Sequence, residues 1–205
     1  MPVLGKTKQE VLSQFRCSEI LEAARVVFAK KGFSRSTVED IAEAAGVAKG
    51  TLYLYFPSKE AIYMEALRQG VGALRERTRK KLEAAPATAD KIRAFIETRI
   101  EYFDENRDFF KIYYSELANV FSPPSSFRKD FQTLYREQAR ALEAVLREGI
   151  KRGELRPLPP GPTAFAIYDL TRGLIARRLL GWSKASAAED LSSLLDLVWK
   201  GMEIR

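Results

Sequence analysis

The residues best equipped for chemistry lie close together near the N-terminus of the chain. A short segment there offers hydroxyl, ammonium and phenol groups, carried by Thr37, Lys49, Thr51, Tyr53, Tyr55 and Lys59. Such groups donate hydrogen bonds to phosphate oxygens and to the edges of nucleic-acid bases. Their types and their clustering therefore favour binding of a polyanion.

The chain contains no histidine and only one cysteine, Cys17. The missing histidine removes the commonest general base, the commonest metal ligand and the Ser-His and Cys-His nucleophile pairs. A single cysteine allows neither an internal disulfide nor a Cys-rich zinc site, and we interpret Cys17 as a small apolar residue of a helix. We therefore predict no enzyme activity, no metal and no cofactor. Catalysis by a carboxylate pair, for instance Asp104 with Glu105 or Asp169, is a remote alternative.

Positive charge is concentrated in the first part of the chain. The whole sequence of 205 residues carries a formal net charge of +7. Residues 1–85 hold 15 Lys and Arg against 10 Asp and Glu, whereas residues 86–205 hold 19 against 17. This distribution fits a nucleic-acid partner for the first part, and it fits a slightly basic solvated surface equally well.

No apolar run is long enough to cross a membrane, and the first ten residues lack the apolar core of a secretory signal. We therefore expect a cytoplasmic protein without a membrane partner. A hydrophobic content of 46% at this length supports one or two well-packed domains.

Helical periodicity runs through the whole sequence, and no segment shows the alternation of a strand. In the first helix, for example, Ile20, Ala24 and Val27 recur on one face, and Gly32 marks the end. The pattern predicts an all-α fold of about nine helices, at residues 13–31, 37–45, 48–54, 58–83, 89–105, 107–120, 125–152, 162–181 and 187–203.

Residues 37–53 have the plan of a helix-turn-helix. A short amphipathic helix with Ile41 and Ala45 on its apolar face leads to Gly46, which can adopt a positive φ without steric penalty. The next helix presents small and polar side chains, which leaves room for entry into a major groove about 12 Å wide. RNA binding is disfavoured because no RNP-like aromatic motif is present.

This region resembles the DNA-binding head of the TetR family of repressors. The resemblance covers residues 16–63 and is carried by the contiguous sequence AKGTLYLYFPSKE at residues 48–60, together with Gly32, Phe33, Thr37 and Val38. It implies that the protein binds double-stranded operator DNA as a homodimer. It places DNA contacts at Thr37, Lys49, Gly50, Thr51, Tyr53, Tyr55 and Lys59. Of these, Tyr55 and Lys59 match positions that clamp the DNA backbone through its phosphates.

Two residues depart from the pattern of the family. Ala48 stands where a capping serine or threonine is common, so a helix cap is missing. Glu39 stands where some relatives carry a base-reading arginine, and we include it in the DNA-binding set. Its carboxylate either accepts a hydrogen bond from a cytosine amino group or repels phosphate.

The elements divide into a small head and a larger body. We predict a flexible tail at residues 1–12, a three-helix DNA-binding head at residues 13–57, and a C-terminal helical domain for ligand binding and dimerisation at residues 58–205. The helix that begins at Ser58 is the only predicted element continuous with both the DNA clamp and the body.

Aromatic residues are abundant in the middle helices of the body. Ordinary core packing explains most of them, but the excess suits a pocket with tyrosine hydroxyls as polar groups. The resemblance implies that such a body binds an inducer. The candidate ligand residues are Phe103, Phe110, Tyr113, Tyr114, Phe131, Tyr168 and Arg172. Arg172 would pair either with an acidic ligand or with a carboxylate of its own fold.

The last two helices carry a wide apolar stripe. The resemblance implies that this pair forms a four-helix bundle with a second subunit, and burial within one subunit is the alternative. The candidate interface residues are Leu170, Leu174, Leu191, Leu195, Val198 and Trp199.

Together these features predict a repressor that binds a palindromic operator as a homodimer and is released by a small apolar or amphipathic inducer. A constitutive or activating regulator of the same family without an inducer is the first alternative. A helical carboxylate-dependent enzyme is the remote one.

Overall fold

The computed structural model describes residues 7–119 and 128–203, and these fold into nine α-helices without a strand. In chain order the helices are α1 (Lys8–Lys31), α2 (Val38–Ala44), α3 (Lys49–Tyr55), α4 (Lys59–Ala84), α5 (Thr88–Glu105), α6 (Arg107–Asn119), α7 (Arg128–Lys151), α8 (Pro160–Leu179) and α9 (Ala187–Met202). The predicted all-α fold is confirmed, with α1 to α3 as the head and α4 to α9 as the body. Within the described residues, no helix has the length and apolar character needed to span a membrane.

Helix α1 begins earlier than the apolar pattern predicts. The hydroxyl of Thr7 accepts a hydrogen bond from the backbone N–H of Glu10 at 3.3 Å, and the Glu10 carboxylate accepts one from the backbone N–H of Thr7 at 2.7 Å. This reciprocal capping box satisfies backbone donors of the first turn. Residues 8–12, predicted as part of a flexible tail, are therefore helical, while residues 1–6 lie outside the described part of the chain.

Two clusters of buried apolar side chains hold the helices together. The first, termed the head–body core, joins the head to α4, α5, α6 and α8 through residues that include Ile20, Ile41, Leu52, Val71, Phe109, Tyr113 and Ile175. The second, termed the body core, joins α5, α7, α8 and α9 through residues that include Phe95, Leu142, Tyr168 and Val198. Burial of apolar surface thus ties the head directly to the first half of the body.

Helix α4 runs from the head into the body. Ser58 caps it by accepting a hydrogen bond from the backbone N–H of Ala61 at 3.2 Å. At Gly70 the helix approaches α6 so closely that an added Cβ would lie 2.3 Å from the ring of Phe109. Tyr102 donates a hydrogen bond to the Gly70 carbonyl at 3.2 Å. The missing side chain of Gly70 therefore permits a close contact between α4 and α6.

The acidic residues that a carboxylate-dependent enzyme would use all form ion pairs with arginines. The pairs are Asp104 with Arg178 at 3.1 Å, Glu105 with Arg77 at 2.5 Å and Asp169 with Arg172 at 3.2 Å. Two of the three connect different helices, because Arg178 lies on α8 and Arg77 on α4. These carboxylates stabilise the helix packing, which disfavours a catalytic role.

Candidate DNA interface and ligand cavity

A cap, a turn and a shared core position the two helices of the helix-turn-helix. The Thr37 hydroxyl accepts a hydrogen bond from the backbone N–H of Asp40 at 3.1 Å, and the Asp40 carboxylate accepts one from the backbone N–H of Thr37 at 3.0 Å. Gly46 turns the chain with a φ of 64°, as its predicted role requires. Ile41 and Leu52 are fully buried in the head–body core. Helix α3 is therefore held along one side and presents its other side to solvent.

The solvent side of α3 carries three of the eight predicted DNA-binding residues. Lys49, Gly50 and Tyr53 are exposed, and Thr37 is exposed at the start of α2. Thr51 is half-buried, and Tyr55 is half-buried against the head–body core. The exposed residues Lys49, Gly50 and Tyr53 are small or end in a polar atom, which suits a helix that enters a DNA groove.

Two further features of α3 bear on DNA contact. Ala48 leaves the helix without a side-chain cap, as its departure from the family pattern predicts. Leu54 is 82% exposed, and it was not predicted as a DNA contact because leucine carries no polar side-chain group. An exposed leucine on a groove-facing helix offers an apolar surface to thymine methyl groups.

Glu39 of α2 forms an ion pair with Lys49 of α3 across the turn. The hydrogen bond between them lowers the pKa of the Glu39 carboxyl and raises the pKa of the Lys49 ammonium, so both groups are charged at neutral pH. Both side chains are more than half exposed, and exposed ion pairs contribute little to stability. Glu39 therefore neutralises a predicted DNA-binding cation at little benefit to the fold.

Lys59 points into the head. Its ammonium donates hydrogen bonds to the backbone carbonyls of Phe33 at 2.9 Å and Ser36 at 2.8 Å, and it lies 4.4 Å from the centre of the Phe33 ring. These contacts anchor the loop between α1 and α2 on the first turn of α4. In the protein without DNA the ammonium is thus held by backbone carbonyls, and a phosphate contact of Lys59 stays a prediction.

A narrow cavity lies between α4, α5, α6, α7 and α8 in the body. Its wall includes the predicted ligand residues Phe110, Tyr113, Tyr114, Tyr168 and Arg172. The open space at its centre is about 20 Å³, enough for a single water molecule. A larger ligand therefore has to displace side chains of the wall.

Two of the predicted ligand residues, Phe103 and Phe131, are not among the described residues that line this cavity. Phe103 is fully buried and packs edge-to-face against Phe110, with ring centres 5.4 Å apart. It contacts a residue of the wall without bordering the open space itself, and its contact with a ligand stays a prediction. Helical periodicity identifies a buried face without showing which side chains border a void. The side chain of Phe131 lies outside the described part of the structure.

The polar groups of the cavity are mostly paired with each other. The hydroxyls of Tyr113 and Tyr168 lie 2.7 Å apart, and Tyr114 donates a hydrogen bond to the backbone carbonyl of Arg172. Burial raises the pKa of Tyr113, Tyr114 and Tyr168, so these phenols are neutral. The Arg172 guanidinium pairs with Asp169 at 3.2 Å, which is the second of the two roles predicted for it.

Arg99 is the cation of the cavity wall that the sequence analysis missed. Its side chain is nearly fully buried, and it stacks on the ring of Phe95 at 3.6 Å. Burial lowers the pKa of its guanidinium to about 10, which still leaves it charged at neutral pH. A sequence signal exists: Arg99 follows Phe95 by four residues and Ile96 by three, so a charge occupies the apolar stripe of α5.

The predicted dimer residues of α9 face inward. Val198 is buried in the body core of the single protomer, and its place in an interface stays a prediction. Leu191, Leu195 and Trp199 are half-buried and line a groove that α9 forms with α5. The apolar stripe of α9 is used largely within the protomer, and periodicity cannot tell an internal neighbour from an external one.

The outward side of α8 and α9 carries exposed leucines. Leu170 is 46% exposed and Leu197 is 61% exposed, whereas Leu174 is half-buried against the body core. Leu197 was not predicted because it lies off the main apolar stripe of α9. Helices α8 and α9 contact each other, and each carries an exposed leucine that a partner can cover.

Comparison with known proteins agrees with this division into head and body. The sequence model described as "Bacterial regulatory proteins, tetR family" matches residues 20–66. The model described as "Tetracyclin repressor-like, C-terminal domain" matches residues 85–176. The first contains the helix-turn-helix, and the second contains most of the residues around the cavity.

Curated relatives and a solved structure extend the match. The HTH-type transcriptional repressor KstR2 of Mycolicibacterium smegmatis is 32% identical over 143 residues, covering 69% of this chain and 68% of the relative. The fatty acid metabolism regulator protein of Bacillus subtilis is 28% identical over 190 residues, covering 90% of this chain and 94% of the relative. The crystal structure of the transcriptional regulator FadR from Bacillus subtilis in complex with stearoyl-CoA shares the fold, with a TM-score of 0.80, 23% identity and coverage of 90% of this chain and 98% of that one. These relatives are transcriptional regulators and not enzymes, and the chain accordingly belongs to the TetR family of bacterial transcriptional regulators.

Proposed function

We propose that this regulator is a repressor that binds a palindromic operator as a homodimer and leaves it when an amphipathic acyl compound enters the body. One observation carries the proposal. The cavity wall and the helix-turn-helix belong to the same continuous head–body core, since Val71, Phe109 and Tyr113 pack in one cluster with Ile41 and Leu52. Rearrangement of the wall is thereby coupled by direct packing to the orientation of α3.

The exposed side of α3 supports the DNA-binding part. Lys49, Gly50 and Tyr53 are available to a groove, and the exposed Thr37 lies at the start of α2. The excess of positive charge in residues 1–85 supports electrostatic attraction to the duplex.

The outward leucines support the dimer. Leu170 on α8 and Leu197 on α9 are exposed in the described protomer, on two helices that contact each other. A second protomer that packed its α8 and α9 against this surface would bury both leucines. The resulting twofold axis matches a palindrome, with heads about one helical turn of DNA, roughly 34 Å, apart.

The narrow, mainly apolar cavity supports an acyl ligand. Its wall contains long and aromatic side chains with few polar atoms, which suits an alkyl chain. The fatty-acid regulator and the stearoyl-CoA complex among the relatives point to the same chemical class. Because the open space is small, ligand entry must move the wall, and this displacement is what can be transmitted to the head.

The test couples DNA binding and ligand binding in one measurement. An operator is first selected from random duplexes by the purified protein, and a palindrome is expected. Palmitate and palmitoyl-CoA are then titrated calorimetrically with and without this operator. The operator is expected to weaken binding of the active compound by about 5- to 150-fold, and that compound must weaken operator binding by the same factor because linkage is reciprocal.

Two outcomes would overturn parts of the proposal. Equal ligand affinities with and without the operator would leave a DNA-binding regulator that the ligand does not control, as in the constitutive alternative. Selection of a non-palindromic sequence by a monomeric protein would remove the dimer from the proposal.

A further inference from the structure

Arg99 is a buried cation without a carboxylate partner among the described residues. Its side chain is 4% exposed, and its terminal nitrogens donate hydrogen bonds to the carbonyls of Phe95 at 3.2 Å and Gln138 at 2.9 Å. The Nε atom is buried and has no acceptor in the described part of the structure. Neutral carbonyl oxygens do not balance a positive charge, and an unbalanced buried charge is destabilising. Because Arg99 does not stabilise the fold as an unbalanced charge, a role in ligand binding is indicated for it.

Arg99 lies at the boundary between the cavity and the surface. Together with Gln138 it borders both the aromatic cavity and a cleft between α4, α5 and α7 that has a volume of about 640 Å³. The cavity side is formed by aromatic and aliphatic groups such as Phe110 and Ile175. Arg99 therefore lies between a narrow apolar cavity and an open cleft that also contains charged residues.

The cleft is rich in cations. Its lining includes Arg75, Arg79, Lys91 and Arg140 besides Arg99, against Glu76, Glu83 and Glu137. The three glutamates are paired with Arg75 and Arg79. Lys91 and Arg140 form no ion pair with any described residue, so the cleft has a net positive charge that can attract an anionic group.

We propose that Arg99 binds the oxygen-bearing end of a long-chain acyl ligand, whose alkyl chain enters the aromatic cavity while any further polar group lies in the basic cleft. This inference rests on the proposed function, because it describes how the same ligand is recognised. The shared chemistry is an acyl group that ends in oxygen acceptors. In a free acid the carboxylate pairs with Arg99, whereas in a coenzyme A thioester the carbonyl accepts from Arg99 and the phosphates face Lys91 and Arg140.

The opposite orientation of the ligand is physically unfavourable. It would place the polar end beside Tyr113 and Tyr168, whose hydroxyls already bond to each other. It would also place an alkyl chain among the charged groups of the cleft. Arg172 does not compete for the polar end, since its guanidinium is balanced by Asp169.

Calorimetry with palmitate and palmitoyl-CoA on the full chain tests the role of Arg99. Arg99→Met keeps much of the side-chain volume without the charge, and we expect it to lower the affinity for both compounds at least tenfold. Arg93→Met is the matched control, because Arg93 is an exposed arginine on the same helix, and it should bind both compounds as the wild type does. A folded Arg99→Met variant with wild-type affinity for both compounds would overturn the proposal.

Thermal unfolding separates ligand recognition from a structural role. If Arg99 serves a ligand, Arg99→Met should unfold at the wild-type temperature or above, because an unbalanced buried charge is removed, but its unfolding temperature should no longer rise with palmitate. Should Arg99→Met unfold in the cell, Arg99→Lys provides the second variant. It keeps the charge, and a folded Arg99→Lys protein with undiminished affinity would contradict recognition by the guanidinium fork.

A double variant distinguishes palmitate from palmitoyl-CoA as the ligand. A separate measurement of operator release distinguishes the role of Arg99 from the proposed function. Lys91→Gln combined with Arg140→Gln should weaken palmitoyl-CoA binding and leave palmitate binding unchanged, and equal weakening of both would overturn the proposed orientation. Operator release is measured separately by fluorescence anisotropy. Arg99-dependent ligand binding without operator release would contradict the proposed function alone. Failure of the wild type to bind either compound would overturn the role of Arg99 and leave DNA binding intact.

Discussion

Lys49 is already bonded to Glu39, so DNA must compete with a carboxylate for this ammonium group. Glu39→Gln removes the competing charge, and we expect higher affinity for DNA of any sequence with a salt slope steeper by up to about one unit, because one more phosphate contact releases about one more counterion. Fluorescence anisotropy over a series of KCl concentrations measures both quantities.

A double variant gives the control for this prediction. In a Lys49→Gln background, Glu39→Gln should produce a smaller gain, since the released cation is no longer there. If Glu39→Gln instead weakens operator binding and leaves random DNA unaffected, Glu39 reads a base through its carboxylate, the alternative role predicted for it.

A second prediction at the scale of single residues concerns Lys59, whose hydrogen bonds are formed within the protomer. Lys59→Met keeps the aliphatic stem but removes the ammonium that donates to the carbonyls of Phe33 and Ser36, of which Phe33 keeps a bond from the backbone N–H of Ser36. We expect the free energy of unfolding to fall by about 1–3 kcal/mol, the range for lost bonds to a charged group, with little change in the salt slope of DNA binding. Urea denaturation measures the first effect, and Lys30→Met on the exposed side of α1 is the control. If Lys59→Met leaves the free energy of unfolding unchanged and lowers the salt slope of DNA binding by one unit, Lys59 contacts a phosphate instead.

Packing between α4 and α6 joins the cavity wall to the head–body core. Gly70 lies against Phe109, and Phe109 belongs to both the cavity wall and the head–body core. Gly70→Ala would push this ring. We expect overpacking to lower the free energy of unfolding by about 1–3 kcal/mol, a loss that the better helix propensity of alanine partly offsets. Operator affinity without ligand should change as well, because the displaced ring mimics part of the movement that a ligand causes.

Gly72 offers a matched control on the same helix. An added Cβ at Gly72 meets nothing within 4 Å, so Gly72→Ala should stabilise the protein by up to about 1 kcal/mol and leave operator and palmitate affinities unchanged. Thermal unfolding and anisotropy on both variants provide the comparison. Identical behaviour of the two alanine variants would show that the contact between α4 and α6 does not influence the head.

At the scale of the whole molecule, the outward side of α8 and α9 is the surface on which dimerisation is tested. Leu170→Arg combined with Leu197→Arg places charges on exposed positions, so the protomer should keep its fold, whereas an apolar interface should not tolerate them. We expect a monomer by light scattering, unchanged helical content by circular dichroism and a large loss of operator affinity. Val26→Arg, an exposed apolar residue of α1, should remain dimeric. A dimeric Leu170→Arg/Leu197→Arg protein would place the interface elsewhere.

The helices and the helix-turn-helix could be predicted from the sequence because their determinants are local. Apolar residues three and four positions apart indicate a buried face, and glycine at position 46 indicates a turn. Even the early start of α1 had a local signal in the capping box of Thr7 and Glu10, which the apolar pattern did not reveal because that first turn is exposed.

The state of each charged group depended on tertiary structure. Lys59 finds carbonyls in a loop 23 and 26 residues earlier in the chain, and Arg99 contacts a carbonyl 39 residues later. Likewise, Val198 and Leu197 are neighbours in sequence, yet one is in the core and the other is exposed. Periodicity identifies the side of a helix that is buried, but whether a cation there meets a carboxylate, a carbonyl or a ligand is decided by helices that are distant in sequence.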